Sequence, residues 1–378
     1  MKSNYKRLGD YIKPVNIRNK DLQVTKLLGV SIQKILMPSI ANTVGTNMKT
    51  YKIIKKNQFA YGPVTSRNGD KISIALLQDF DEAIISQAYT VFEIKDVEIL
   101  NPEYLMMWFR RPEFDRYARY KSHGSARETF DWDEMCEVEL PIPSIEKQNE
   151  IVKEYNTVVN RIKLNEQLNQ KLEETAQAIY KHWFVENEKD VTSDYLSLDK
   201  YVDVNPRLTV KKGKDSVFVE MASVQVNSLS VISTIVKPYK SGTKFMNNDT
   251  LMARITPSLE NGKSGFVDFL KPNEIAFGST EFLVLRAKEN VSPFWNYCLT
   301  KDESFRVYAI SGMTGTSGRQ RVDAEHIKEY KVKEIDSDRM QQFDIMVAQI
   351  FKKVKIDSIQ NRGLKEVEEL LLSKMSKI

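Results

Sequence analysis

The sequence predicts an α+β protein built as an internal repeat. Two heads of mixed strands and helices are each followed by a long helix, and the two helices pair as an antiparallel coiled coil with a pseudo-twofold axis. Three observations predict this. Similar residues recur at a nearly constant offset of 190–192. Two stretches, 144–185 and 336–378, hold no proline and a single glycine, Gly363. Each of those stretches carries an apolar stripe in alternating steps of four and three, the spacing of a coiled-coil seam.

The repeat is visible along both heads. Leu8, Tyr11 and Ile12 match Leu198, Tyr201 and Val202. Phe59 and Ala60 match Leu251 and Met252, and Ile85 and Val91 match Phe277 and Leu283. Phe114 and Tyr117 match Phe305 and Tyr308. Ser125, Arg127 and Asp131 match Ser317, Arg319 and Asp323. Within each head, short apolar runs are broken by Gly, Pro, Asn and Asp. Tyr89–Ile94 and Glu281–Leu285 read as strands. The segments after Pro102 and Pro293 read as helices, because their apolar residues recur at helical spacing. The expected boundaries are 1–143 for the first head, 144–187 for the first long helix, 188–335 for the second head and 336–378 for the second long helix.

At 1.5 Å rise per residue each long helix extends roughly 60 Å. The first stripe is Ile151, Tyr155, Val158, Ile162, Asn165, Asn169, Leu172, Ala176, Ile179 and Trp183. The second is Phe343, Val347, Ile350, Val354, Asp357, Asn361, Leu364, Glu368, Leu371 and Met375. Neither helix can bury such a stripe alone, so each is expected to cover the other. That would put the heads at opposite ends of the pair. The polar residues lie near the middle of each stripe. An antiparallel pair centred there brings Asn165 level with Asn361 and Asn169 level with Asp357. Buried polar groups need partners, so these four residues are expected to fix the register.

Composition narrows the function. With 378 residues there is room for two or three domains. Hydrophobic residues at 41% and charged residues at 28% exclude a wholly disordered chain. The net charge of +5 suits nucleic acid without demanding it. Cys136 and Cys298 form no CxxC and read as reduced thiols of a cytoplasmic protein. No run is long and apolar enough for a membrane span, and Met1–Arg7 has no apolar stretch behind it. His123, His182 and His326 are scattered, so no metal site is expected. Asn101-Pro102-Glu103-Tyr104 has only a superficial likeness to an adenine-methyltransferase motif, lacks a Gly-rich cofactor loop, and reads better as a helix start. Asp79, Glu93 and Lys95 have nuclease-like spacing, but the second unit offers Leu285 and Ala287 at the matching places. No enzyme is expected.

At this point the chain resembles the specificity subunits of type I restriction–modification systems along its whole length. Leu251–Val267, LMARITPSLENGKSGFV, is similar to a segment frequent in their target-recognition domains. Val138–Val152, VELPIPSIEKQNEIV, resembles the lead-in to their spacer helix, and Ile179–Val185, IYKHWFV, resembles its end. The second lead-in, Val332–Met346, lacks the matching prolines. The resemblance implies two target-recognition domains and a bipartite, asymmetric double-stranded DNA site. It implies two methyltransferase subunits as partners, joined by restriction subunits in the full complex. S-adenosylmethionine, Mg and ATP would be bound by those partners and not here. The alternative is a coiled-coil adaptor that binds only proteins.

Base reading needs donors and acceptors on ordered loops, with Arg suited to guanine and Asn or Gln to adenine. In the second head Arg254, Thr256, Ser258, Asn261, Lys263 and Ser264 fall in one polar stretch. The matching stretch of the first head offers Thr65, Ser66, Arg67, Asn68 and Lys71. A second loop near the end of each head offers Ser125 and Arg127, and Ser317, Arg319, Gln320 and Arg321. Lys212, between Lys211 and Lys214, suits a phosphate. Arg110, Arg111, Arg116, Arg119 and Lys121 are spread along helix and carry less weight. Trp132 and Trp183 are expected to pack at the head–helix joint or against the methyltransferase.

Overall fold

The computed structural model describes residues 4–39, 45–66, 68–69, 71–124, 127–186 and 194–377. In the first head, β1 (Tyr5–Arg7) is followed by β2 (Ile12–Val15), β3 (Leu28–Val30), β4 (Leu36–Pro38), β5 (Lys52–Lys55), β6 (Phe59–Tyr61), β7 (Ile74–Leu76), β8 (Glu82–Ile85) and β9 (Thr90–Ile94). Helices α1 (Pro102–Arg110), α2 (Pro112–Tyr120) and α3 (Trp132–Cys136) come next, and β10 (Glu139–Pro141) returns to pair antiparallel with β1. Asn101 caps α1 by accepting from the backbone N–H groups of Glu103 and Tyr104, with Pro102 at the first helical position. The helix-start reading of Asn101-Pro102 therefore holds. Glu93 accepts from Gln58 and pairs with Lys13, while Lys95 donates to the Gly9 and Asp10 carbonyls. These contacts hold strands together.

After α4 (Ile145–Tyr180) and a π-helical turn (Lys181–Val185), the second head runs through β11 (Tyr195–Ser197), β12 (Val202–Val204), β13 (Asp215–Val219), β14 (Ile235–Pro238), β15 (Thr243–Phe245), β16 (Thr250–Ala253), β17 (Ser264–Phe266), β18 (Ala276–Gly278) and β19 (Phe282–Ala287). Helices α5 (Pro293–Lys301), α6 (Glu303–Ser311) and α7 (Ala324–Lys328), strand β20 (Lys331–Lys333) and helix α8 (Ser337–Lys374) complete it.

The repeat seen in the sequence is a repeat of strand order. The first head has a sheet in the order β2-β9-β6-β7 and the second has β12-β19-β16-β17. Ala60 pairs with Val91 and Met252 with Leu283, but the first pair faces away from α1 and α2 while the second faces α5 and α6, so on these strands the offset of 192 is one residue out of step with the sheet faces. Side chains alternate between sheet faces. Phe59, Tyr61 and Phe92 enter the core beneath α1 and α2, while Ala60 and Val91 enter a second core. In the second head Met252, Leu283 and Leu285 face one core, and Leu251 and Val284 the other. Both faces are buried, which is why these strands read as continuous apolar runs. The heads diverge elsewhere. The first has the small pairs β3-β4 and β5-β8, and the second a sheet in the order β14-β13-β18-β15 with a parallel β13-β18 pair.

The chain divides into two compact units, residues 1–160 with 364–378, and residues 161–363. Each unit therefore takes one head and a segment of both long helices, a division that linear boundaries do not express. In the first unit Val152 and Tyr155 of α4 share a core with Leu372 and Met375, and Tyr155 Oη donates to Glu368 at 2.8 Å. In the second unit Asn165 meets Asn361, and the rings of Phe184 and Phe343 lie 5.2 Å apart. Advancing along α4 thus means retreating along α8, and the helices are antiparallel. None of the twenty stripe residues is exposed.

Asn165 Nδ2 donates to Asn361 Oδ1 at 2.7 Å and to Gln360 Oε1 at 2.9 Å, and both asparagines are buried. The neighbouring layer differs from expectation. Asn169 Oδ1 and Asp357 Oδ2 are enclosed without hydrogen-bond partners. Asp357 is held through its other oxygen by Lys353 of its own helix, a pair one turn apart that satisfies only that oxygen.

Candidate nucleic-acid interface

The two candidate loops of each head are about sixty residues apart in the chain, and the fold joins them. In the second head Ile255 forms a β-bridge with Arg321, Thr256 N–H donates to the Gln320 carbonyl at 3.1 Å, and Val322 N–H donates to the Arg254 carbonyl at 3.0 Å. In the first head Val64 bridges Thr129, Thr65 N–H donates to the Glu128 carbonyl at 3.0 Å, and Phe130 N–H donates to the Pro63 carbonyl at 2.8 Å. These are the same contacts at offsets of 191 and 192. A further bridge closes the second loop on itself, His123 with Thr129 and Thr314 with Arg321. Backbone bonding of this kind joins the bases of loops whose own sequences differ, so each head carries its two loops on one ridge.

The ridge separates the candidate residues into those that face outward and those that build it. Asn261, Ser317 and Arg319 are exposed in the second head, and Ser258, Lys263 and Gln320 are half-buried. Ser66, Lys71 and Arg127 are exposed in the first, and Asn68 is half-buried with its amide donating to the Val64 carbonyl. Arg67 and Ser125 lie outside the described residues.

Five candidates are corrected. Thr65 is 1% exposed, and its hydroxyl is tied to Ser122 Oγ and the Glu128 carbonyl. Ser264 is 1% exposed because it opens β17, where its backbone pairs with Met252. Arg321 grips both oxygens of Glu281, from 2.7 to 3.1 Å, and donates to the Arg319 carbonyl. Those bonds push the Glu281 carboxyl below its usual range. Arg254 pairs with Asp323 at 2.8 Å, and its Nε is enclosed. Thr256 is half-buried, and its hydroxyl accepts from Gln320 N–H at 3.1 Å, so it too serves the junction. Sequence reasoning missed the braces Glu281, Asp323, Ser122 and Glu128. In the repeat Glu281 aligns with Tyr89, so comparison of the heads held no signal for it.

Lys211, Lys212 and Lys214 are exposed on the turn before β13, which belongs to the other sheet of that head. The arginine group on α1 and α2 is largely neutralised. Arg111 is buried over the Trp108 ring, Arg116 pairs with Glu113, Arg119 with Glu128 and Lys121 with Glu134. Trp132 packs on Phe92, and Trp183 lies against the core that α4 and α8 share with the second head. Among the described residues, no three His, Cys, Asp or Glu side chains gather as metal ligands, and no helix is long and apolar enough to cross a membrane.

Comparison with known proteins agrees with this architecture. Residues 5–174 match the family model "Type I restriction modification DNA specificity domain". The chain is 29% identical over 155 residues to the type I restriction enzyme HindI specificity subunit of Haemophilus influenzae, covering 40% of this chain and 33% of that protein. It is 28% identical over 135 residues to the EcoAI specificity subunit of Escherichia coli, covering 34% of this chain and 23% of that protein. The matched stretches thus span a third or less of those relatives. The fold is similar to a crystal structure of a type I restriction–modification S subunit from M. genitalium, with a TM-score of 0.60 and 11% identity, covering 98% of this chain and 95% of that one. The repeated heads and the antiparallel helices agree with that fold, and residues 5–174 are similar to the DNA specificity domain of type I restriction–modification systems.

Proposed function

We propose that this chain recognises a bipartite, asymmetric double-stranded DNA site, one part read by each head, and directs partner subunits to it without catalysing a reaction itself. The observation that carries the reading is the duplicated two-loop ridge. It has the same backbone bonds in both heads but different outward residues, as two readers of different half-sites require. Asn261, Arg319 and Gln320 would contact bases or phosphates in one half-site, and Ser66, Asn68, Lys71 and Arg127 in the other. Lys212 would hold a phosphate.

Two related units would offer two related docking surfaces, so one chain would hold two methyltransferase subunits, with restriction subunits added in the full complex. S-adenosylmethionine, Mg and ATP would be bound by those partners, and the complex would act in the cytoplasm on the cell's DNA. The test is site selection from random duplexes by the purified chain with its methyltransferase. Enrichment of one two-part motif with an unread spacer is expected. A protein-only adaptor would enrich no motif.

A further inference from the structure

In the second unit a lysine links the recognition ridge to the helices beneath it. Lys301 is the last residue of α5. Its Nζ donates to the Gly262 carbonyl at 3.0 Å and to the Val226 carbonyl at 2.9 Å, and it lies 5.4 Å from the centroid of the Tyr297 ring. Gly262 ends the turn that carries Asn261. It has φ +71°, and a Cβ there would stand 3.0 Å from the Arg306 guanidinium, so the turn closes tightly on α6. The Val226 loop is held a second time. Glu173 of α4 accepts from Leu229 N–H at 2.9 Å and from Tyr297 Oη at 3.1 Å. A connected set of polar contacts therefore runs from the long helix through α5 to the turn.

Resting on the reading above, we propose that Lys301 is a positioning residue for half-site recognition by the second head, its ammonium holding the 256–262 turn in the conformation that presents Asn261. The groups facing it are Glu173 from α4, Arg306 from α6 and Tyr297 one turn back on α5. Burial pulls the Lys301 ammonium down to about 8, with Glu173 opposing and Arg306 adding to the shift. The charge that strengthens the two bonds is thus lost within an accessible pH range. The first head has Arg110 at the matching end of α1, and the end of its ridge loop is held differently. There Asp115 accepts from Ile72 N–H at 3.2 Å and pairs with Lys34 at 2.8 Å.

The test uses the full chain with its methyltransferase and duplexes carrying the selected motif, intact or scrambled in one half. If wild type selects no motif, the proposed function fails and not this inference. Given a motif, Lys301→Met should reduce discrimination at the second head's half-site by roughly tenfold or more, the value of a charge-assisted hydrogen bond, and leave the other half-site unchanged. Lys301→Arg should retain discrimination. Wild-type discrimination at that half-site should fall between pH 7 and 9, and that of Lys301→Arg should not. Undiminished discrimination in Lys301→Met, or equal loss at both half-sites, would overturn the proposal. If Lys301→Met does not fold, matching pH profiles for wild type and Lys301→Arg would overturn it.

Discussion

Replacing Asn165 with Leu leaves Asn361 Oδ1 without the donor it meets at 2.7 Å, in a position where Asn361 is 7% exposed. The remaining bond of Asn361, from Nδ2 to the Ile162 carbonyl, is 3.4 Å long and weak. An orphaned buried acceptor costs about 1–3 kcal/mol. The reverse change, Asn361→Leu, should cost less, about 1 kcal/mol, because Asn165 Nδ2 keeps Gln360 at 2.9 Å. The double Leu variant removes both polar groups and should return close to wild type or exceed it. For a unit of this size each kcal/mol moves Tm by about 2–4 °C. Thermal unfolding of the four proteins therefore forms a double-mutant cycle with an expected coupling of about 1 kcal/mol or more. Additive losses, with the double variant the least stable, would refute the reasoning that this pair is a mutually satisfied buried layer.

Three further outcomes concern the ridge, its braces and the basic turn before β13. Asn261→Ala and Arg319→Ala should relax one half-site by about 1–3 kcal/mol of discrimination in duplex competition, with the other half-site intact. Lys212→Ala should weaken binding to all sequences and lower the salt slope by about one, measured by titration at several salt concentrations. The Arg321 guanidinium holds Glu281 below its usual range, so the stabilisation it lends is present above the unfolded value of about 4.3 and lost as pH falls through the lower folded value. Glu281→Gln should therefore lose less Tm than wild type between pH 6 and pH 3.

The parts legible in the sequence are those written in one dimension. The offset of 192 carried strand order but not strand face, since Ala60 and Val91 face away from their helices while Met252 and Leu283 face theirs. The helical stripes placed Asn165 against Asn361 because an antiparallel pair needs only a midpoint. The second polar layer was not legible, because Asp357 found Lys353 four residues away on its own helix. The ridge was legible as two polar loops and not as one element, because the bridges Val64–Thr129 and Ile255–Arg321 join positions far apart in the chain. The same distance hid the fate of Arg321, whose partner Glu281 lies forty residues away. Thr65 and Ser264 look like loop residues by type, and only the fold shows their hydroxyls turned inward.

The two heads should read separate half-sites independently. This is tested most directly by mapping methylated adenines in a host that expresses the chain with its methyltransferase, and repeating the map after residues 1–143 are exchanged for the corresponding head of a relative. One half of the two-part site should change and the other half should be retained. A site altered in both halves, or in neither, would contradict that independence.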